Sequence, residues 1–189
     1  MKSESEMIAA VTQWVEDVVI GLNLCPFARK PQRAGLVRYQ VSGARDEEAL
    51  LADMAYECGL LAELPASELE TTLIIVPGCL AAFEDYNQFL DLAEALIAHL
   101  GYTGEFQLAS FHPDYQFAGT EPGDAENLTN RAPYPVLHLI REASIEKVLA
   151  HYPDPEAIPE HNIRRVSALS ADERARLFPY LFGGHLSGG

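Results

Sequence analysis

The hydrophobic positions at the start of the chain recur every three or four residues. They are Ile8, Val11, Val15, Val18 and Leu22. This spacing places the apolar side chains on one face of an α-helix, and the pair Ser3 and Glu6 matches a capping box at its start. We therefore predict a helix over residues 3–20 that ends near Gly21.

Strand-like and helical patterns then alternate between residues 35 and 110. Residues 35–41 alternate between apolar and polar, residues 71–76 are almost continuously apolar, and residues 106–109 form a third short run. The two segments between them have apolar side chains at helical spacing. These are Leu50, Met54, Cys58 and Leu61 in the first, and Phe83, Tyr86, Leu90, Ala93, Ile97 and Leu100 in the second. This βαβαβ order favours an at least partly parallel sheet, because antiparallel neighbours do not need helical crossovers.

The order of elements predicts a single-domain α/β or α+β sandwich, with a mostly parallel or mixed small sheet flanked by helices. A ferredoxin-like split and a three-layer parallel sheet both fit this order. A further helix is predicted over residues 135–151, because proline suits the first turn of a helix. Three later prolines, Pro153, Pro155 and Pro159, predict an extended segment, and we expect residues 183–189 to form a disordered tail.

A long segment without helical or strand periodicity, residues 111–135, follows the third strand. Its polar candidates are His112, Asp114, Asn127, Asn130 and Arg131. The loops that follow parallel strands meet at the carboxyl edge of the sheet, where such folds bind ligands. We interpret His112 as a general acid–base oriented by Asp114, and the two asparagines with Arg131 as substrate-binding groups. In the alternative interpretation, these side chains bond to the backbone and hold the loop.

Cys25 lies just before Pro26, in the broken segment that follows the first helix. A thiolate near Arg29 or a helix terminus would have a lowered pKa, which suits a nucleophile or a metal ligand. A buried, inert thiol is the alternative. The Cys-Pro dipeptide also resembles a haem-regulatory motif, whereas Cys58 is expected in the core.

His138, Arg141 and Glu142 would share one face of the predicted last helix, because they are three and four residues apart. His138 and Arg141 would then bind substrate, or the trio would form a surface salt bridge. A metal site built from Cys25, His112, His138 and Glu142 matches no recognised spacing. The sequence also has no HExxH, CxxC, GxGxxG or GxxxxGK motif, so any metal or cofactor stays unknown.

The balance of charge narrows the class of partner. The 189 residues include 13 Lys and Arg against 28 Asp and Glu, which gives a net charge of -15. Such a chain repels nucleic-acid phosphates and anionic membranes. With no apolar run long enough to span a bilayer and three scattered cysteines, the chain is expected to be a cytoplasmic protein with reduced thiols. Its oligomeric state stays open.

Five separated segments resemble the bacterial family called DUF1415. They are residues 21–28 (GLNLCPFA), 70–73 (ETTL), 109–113 (ASFHP), 127–131 (NLTNR) and 137–142 (LHLIRE). The resemblance implies a single bacterial cytoplasmic domain and gives no reaction, cofactor or catalytic residue.

Two functional hypotheses follow. In the first, which we favour, the protein is a small-molecule enzyme with Cys25 as nucleophile or ligand, His112 as acid–base and Asp114 as orienting group. In the second, it is a non-catalytic regulatory domain that binds a metabolite, haem or a partner protein. Proximity of Cys25 and His112 around an open pocket would favour the enzyme, and burial of both with satisfied hydrogen bonds would favour the second hypothesis.

Overall fold

The computed structural model describes residues 2–182, which form eight α-helices and one four-stranded sheet. The helices are α1 (Glu4–Trp14), α2 (Arg29–Ala34), α3 (Glu47–Glu63), α4 (Phe83–His99), α5 (Glu142–Leu149), α6 (Ile158–Ser167), α7 (Ala171–Leu177) and α8 (Pro179–Phe182). The strands are β1 (Val37–Val41), β2 (Thr71–Ile75), β3 (Phe106–Phe111) and β4 (Val136–Arg141). A π-helix, Val15–Ile20, continues α1, and 3₁₀ helices cover Ala125–Asn130 and Pro155–Ala157. The predicted tail, residues 183–189, lies outside the described residues.

The sheet is mixed, with the strand order β1-β2-β4-β3. Strands β1 and β2 are parallel, with Val37 opposite Thr71, and β4 runs antiparallel to both β2 and β3. Helix α4 connects β2 to β3 along the chain. In the sheet these two strands are not neighbours, because β4 lies between them. Because β1, β2 and β3 still share one direction, their carboxyl ends lie at the same edge of the sheet, as the sequence predicted.

Helices cover both faces of the sheet and form two apolar cores. The α1 and π-helical segment packs on one face together with side chains from α6 and α7. Helices α3 and α4 pack on the other face, and the predicted inward residues Leu50, Met54, Cys58 and Leu61 are fully buried there. The predicted α/β sandwich is therefore confirmed. The mixed sheet is the middle one of three layers, with helices on both of its faces.

The prediction of one helix over residues 135–151 is wrong in its first half. Residues 136–141 form strand β4, and only Glu142–Leu149 are helical. The run Val-Leu-His-Leu-Ile-Arg is apolar enough for a central strand covered on both faces, and a short run of this kind has no period that separates helix from strand. Pro135 precedes the strand, where its carbonyl accepts a hydrogen bond from the N–H of Val76.

The segment after α5 is not extended, which corrects a second prediction. Pro155 begins a 3₁₀ helix, and Pro159 lies in the first turn of α6, where its missing N–H removes no helical hydrogen bond.

The long segment after β3 is irregular except for the 3₁₀ helix Ala125–Asn130. Within residues 2–182, no helix combines the length and apolar character needed to cross a membrane.

Candidate functional site

The loops that follow β1, β2 and β3 meet at the carboxyl edge of the sheet. The ring nitrogen Nε2 of His112 lies 3.1 Å from the carbonyl oxygen of Leu80, in the loop after β2. A side chain at Gly78 would overlap the carbonyl oxygen of Ala44, so glycine permits the close approach of the loop after β1. The backbones of the loops after β1, β2 and β3 therefore lie close together.

His112 is 1% exposed, and both of its ring nitrogens are bonded to backbone. Nε2 donates to the carbonyl of Leu80, and Nδ1 accepts from the backbone N–H of Asp114 at 3.0 Å. The ring packs against Phe83 and Tyr86, and burial lowers its pKa. Since no lone pair or N–H of the ring is left over, this geometry matches the interpretation in which the histidine holds the loop.

The two candidate asparagines bond within the same segment. Asn127 is fully buried; its side-chain oxygen accepts from the N–H of Phe117 and the hydroxyl of Thr120, and its amide donates to the carbonyl of Glu121. Asn130 donates to the carbonyl of Ser110 at the end of β3. Both side chains therefore replace the missing regular hydrogen bonds of a long loop.

The candidate arginines also contact backbone carbonyls, in two different places. Arg131 donates to the carbonyls of Tyr115 and Pro122 in the loop after β3. Arg141 donates to three carbonyls, that of Leu61 in the last turn of α3 and those of Leu64 and Leu69 after its end. Arg141 and His138 are three residues apart on a strand, so they lie on opposite faces of the sheet. The predicted helical stripe of His138, Arg141 and Glu142 is therefore wrong.

His138 lies on the face of the sheet opposite Arg141, beneath the segment formed by α1 and the π-helix. Its Nε2 is 2.8 Å from Oγ1 of Thr71 on the neighbouring strand, and Oγ1 is 2.6 Å from the carbonyl oxygen of Leu139. Burial lowers the pKa of His138 to about 3. The side chain nevertheless keeps some accessible surface, because the ring faces a cavity.

This cavity, which we call the sheet cavity, has a volume of about 110 Å³ and opens partly to solvent. Its floor is the sheet, its roof is the α1 and π-helical segment, and one side is closed by the segment from Cys25 to α2. The lining residues are Trp14, Val15, Val19, Cys25, Phe27, Ala28, Pro31, Val37, Tyr39, Thr71, Leu73, Ala109, Phe111, His138 and Ile140. The lining contains no Asp, Glu, Lys or Arg, and its surface is almost wholly apolar.

The π-helix shapes the roof of the sheet cavity. Its wider turns place Val15 and Val19 in the lining. The backbone N–H of Gly21 bonds to the carbonyl of Glu16, five residues back, and a side chain at Gly21 would overlap the carbonyl oxygen of Asp17. Segments of π-helix occur frequently at functional sites, because they shift side chains out of regular helical register.

Cys25 is the one predicted catalytic residue that lines the sheet cavity. Burial raises the pKa of its thiol, although the backbone N–H groups of Phe27 and Ala28 act in the opposite direction. Beyond Cys25 and Phe27 lies a second apolar pocket of about 110 Å³, against α5. The thiol is thus a neutral, half-buried group between two apolar spaces.

The structure places the predicted site residues in three locations, one of which holds only Arg141, at the end of α3. Cys25 and His138 share the sheet cavity, whereas His112, Asp114, the two asparagines and Arg131 belong to the closed loop. Sequence reasoning missed Thr71 and Trp14, since a threonine at the start of an apolar strand and a tryptophan on a helix are typical core residues. Within residues 2–182, no group of three or more His, Cys, Asp and Glu side chains is placed to hold a metal ion.

Comparison with known proteins gives a family and no assigned activity. No curated protein and no solved structure matches the chain. The model of one protein family, described as a protein of unknown function (DUF1415), matches residues 6–176. That range covers most of the 189 residues and includes all five segments that carry the resemblance. The chain therefore belongs to the DUF1415 family.

Proposed function

We propose that the protein binds a small, uncharged and largely apolar molecule in the sheet cavity. The observation that carries this proposal is an apolar space over the sheet with a few polar side chains, His138 among them, in its wall. Small-molecule sites have this composition, with mostly hydrophobic walls and a few polar groups that orient the ligand. The proposal favours the second functional hypothesis, a metabolite-binding domain, over the enzyme.

The size of the sheet cavity limits the ligand. An engineered apolar cavity of about 150 Å³ in another protein holds one benzene ring. A space of about 110 Å³ with an open side suits one small ring or a short branched chain that reaches towards the opening. A porphyrin is far larger, which counts against the haem alternative suggested by Cys25 and Pro26.

The lining also argues against a charged ligand. A carboxylate, phosphate or ammonium group in the cavity would lose its hydration without gaining an ionic partner, which costs several kcal/mol or more. Nucleotides, sugar phosphates and free amino acids are therefore poor candidates for this space.

The state of the two ionisable groups supports binding rather than thiol catalysis. A nucleophilic cysteine needs a lowered thiol pKa and a base that accepts its proton. Here burial raises the pKa of Cys25 and lowers that of His138 to about 3, so both groups are neutral near pH 7. His112, the proposed base, is fully bonded elsewhere.

Titration with benzene and toluene tests the proposal. We expect binding with a dissociation constant on the order of 1 mM or below, measured by calorimetry or ligand-observed NMR. Ala109 lies opposite His138 in the sheet, so Ala109→Leu should fill the cavity and abolish binding. Ala95→Leu, on the exposed side of α4, adds the same side chain elsewhere and should leave binding unchanged.

Alkylation of the cysteines gives an independent readout. A bound ligand should slow the reaction of Cys25 with iodoacetamide and leave Cys79, at the carboxyl edge, unaffected. If neither compound binds to the wild-type protein, or if Ala109→Leu binds both as well as Ala95→Leu does, the sheet cavity is not the ligand site.

A further inference from the structure

We propose that the sheet cavity selects ligands carrying one hydrogen-bond donor, a hydroxyl or a ring N–H, which bonds to Nδ1 of His138. This inference rests on the proposed binding function and names its ligand class: small phenols, short branched alcohols and small heterocycles with an N–H. Ethers and hydrocarbons of the same shape would bind less tightly.

The hydrogen bonds behind His138 determine where its proton lies. The hydroxyl of Thr71 has a single proton, and its oxygen is 2.6 Å from the carbonyl oxygen of Leu139, which can only accept. That proton is therefore committed to the carbonyl. The hydroxyl oxygen must then accept from Nε2 of His138, 2.8 Å away, so Nε2 carries the ring proton.

The other ring nitrogen is consequently an acceptor. A neutral imidazole protonated on Nε2 has a lone pair on Nδ1. Among residues 2–182, no side chain or backbone group donates a hydrogen bond to Nδ1. With a pKa of about 3, the ring stays in this neutral form throughout the physiological range.

A half-buried acceptor without a protein partner in the cavity wall favours a donor on the ligand. A ligand N–H or O–H gains a hydrogen bond in a low-dielectric space, whereas a purely apolar ligand leaves Nδ1 unsatisfied. Sites that bond a ligand hydroxyl discriminate against analogues that lack it for the same reason. A ligand with only acceptor atoms would face the lone pair of Nδ1 and gain no hydrogen bond from His138.

Phenol, toluene and anisole form a matched probe set for this inference. Toluene is the more hydrophobic molecule, so an apolar cavity alone would prefer it to phenol. We expect phenol to bind about threefold to tenfold more tightly than toluene and anisole at pH 7. In His138→Phe the order of phenol and toluene should reverse, because the acceptor is gone while the ring volume remains.

Nitrogen NMR of the wild-type protein tests the same point without a substitution. The ¹⁵N spectrum of the free protein should show His138 protonated on Nε2 only. Phenol should shift the Nδ1 resonance and toluene should not. His112 is the internal control, because its Nδ1 is already bonded to the N–H of Asp114 and should not respond.

The outcomes distinguish the two proposals. If toluene binds but phenol is no tighter and Nδ1 does not shift, the cavity binds ligands and the donor inference is overturned. A proton found on Nδ1 would overturn it as well. If none of the three compounds binds, the proposed function itself fails, and the donor inference fails with it.

Discussion

Single residues in this protein have roles that depend on where their hydrogen bonds go. The sequence places several chemically capable side chains in the segment after β3, and that enrichment is present in the structure. Asn127 and Arg131 nevertheless form hydrogen bonds with backbone groups of that segment, and His112 bonds to the backbone of Asp114 and of Leu80 in the loop after β2. Residue type indicates which chemistry is available, but only the partners show whether a polar atom is left for a ligand.

Acidification should destabilise the protein through His138. An unfolded histidine has a pKa near 6.5, whereas the folded ring has a pKa of about 3. Between these values the unfolded chain binds a proton that the folded protein does not. The stabilising contribution is therefore complete above pH 6.5 and is lost as the pH falls towards 3, by at most about 1.4 kcal/mol per pH unit.

Urea unfolding at pH 7, 6 and 5 checks this expectation. The His138→Gln variant should show a smaller loss of unfolding free energy between pH 7 and 5 than the wild type, because it lacks the titrating ring. Burial lowers the pKa of His112 too, so part of the slope should persist. His161→Gln, exposed on α6, controls for the loss of an imidazole outside the cavity. An identical slope in wild type and His138→Gln would contradict the assignment.

Whole elements were predictable where their hydrophobic period was long and unambiguous. The 17-residue helices α3 and α4 and the buried strand β2 lie close to the predicted positions. Strand β4 was assigned to a helix, because its six residues are too few to show a period and its neighbours β2 and β3 come from distant parts of the chain. Pairing over a long sequence separation decided its conformation.

The π-helix is an element that a regular helical pattern conceals, and Gly21 provides its test. Gly21→Ala should destabilise the protein by about 1–3 kcal/mol, since the new methyl group would meet the carbonyl of Asp17. Thermal unfolding measures the effect. Gly59→Ala in α3 is the matched control, because open space surrounds that position and alanine should stabilise the helix by about 0.5–1 kcal/mol. Equal effects of the two substitutions would argue against the tight turn at Gly21.

The whole molecule carries a net charge of -15, and few ion pairs offset it. Within residues 2–182, two ion pairs lie within 4 Å, and only Arg38–Glu57 has a buried partner. Mutual repulsion among carboxylates should therefore destabilise the fold at low ionic strength, where the screening length is about 30 Å at 0.01 M salt.

Added salt should accordingly raise the melting temperature. Between about 10 mM and 300 mM NaCl we expect an increase of about 3 °C, which corresponds to about 1 kcal/mol for a chain of this size. KCl at equal ionic strength should act alike. The variant Asp91→Asn/Glu94→Gln, on the exposed side of α4, should melt higher in low salt and respond less. A melting temperature that falls with added NaCl would contradict this account.

The sequence by itself determined the layered α/β class, the βαβαβ core, the acidic character and the set of polar candidates. These follow from local periodicity and composition, which need no knowledge of the fold. Only the tertiary structure decided that β4 is a strand, that the loop after β3 is internally bonded, and that Cys25 and His138 face one cavity. The decisive pair, Thr71 and His138, is 67 residues apart in the chain, and a contact of that separation leaves no trace in a local pattern.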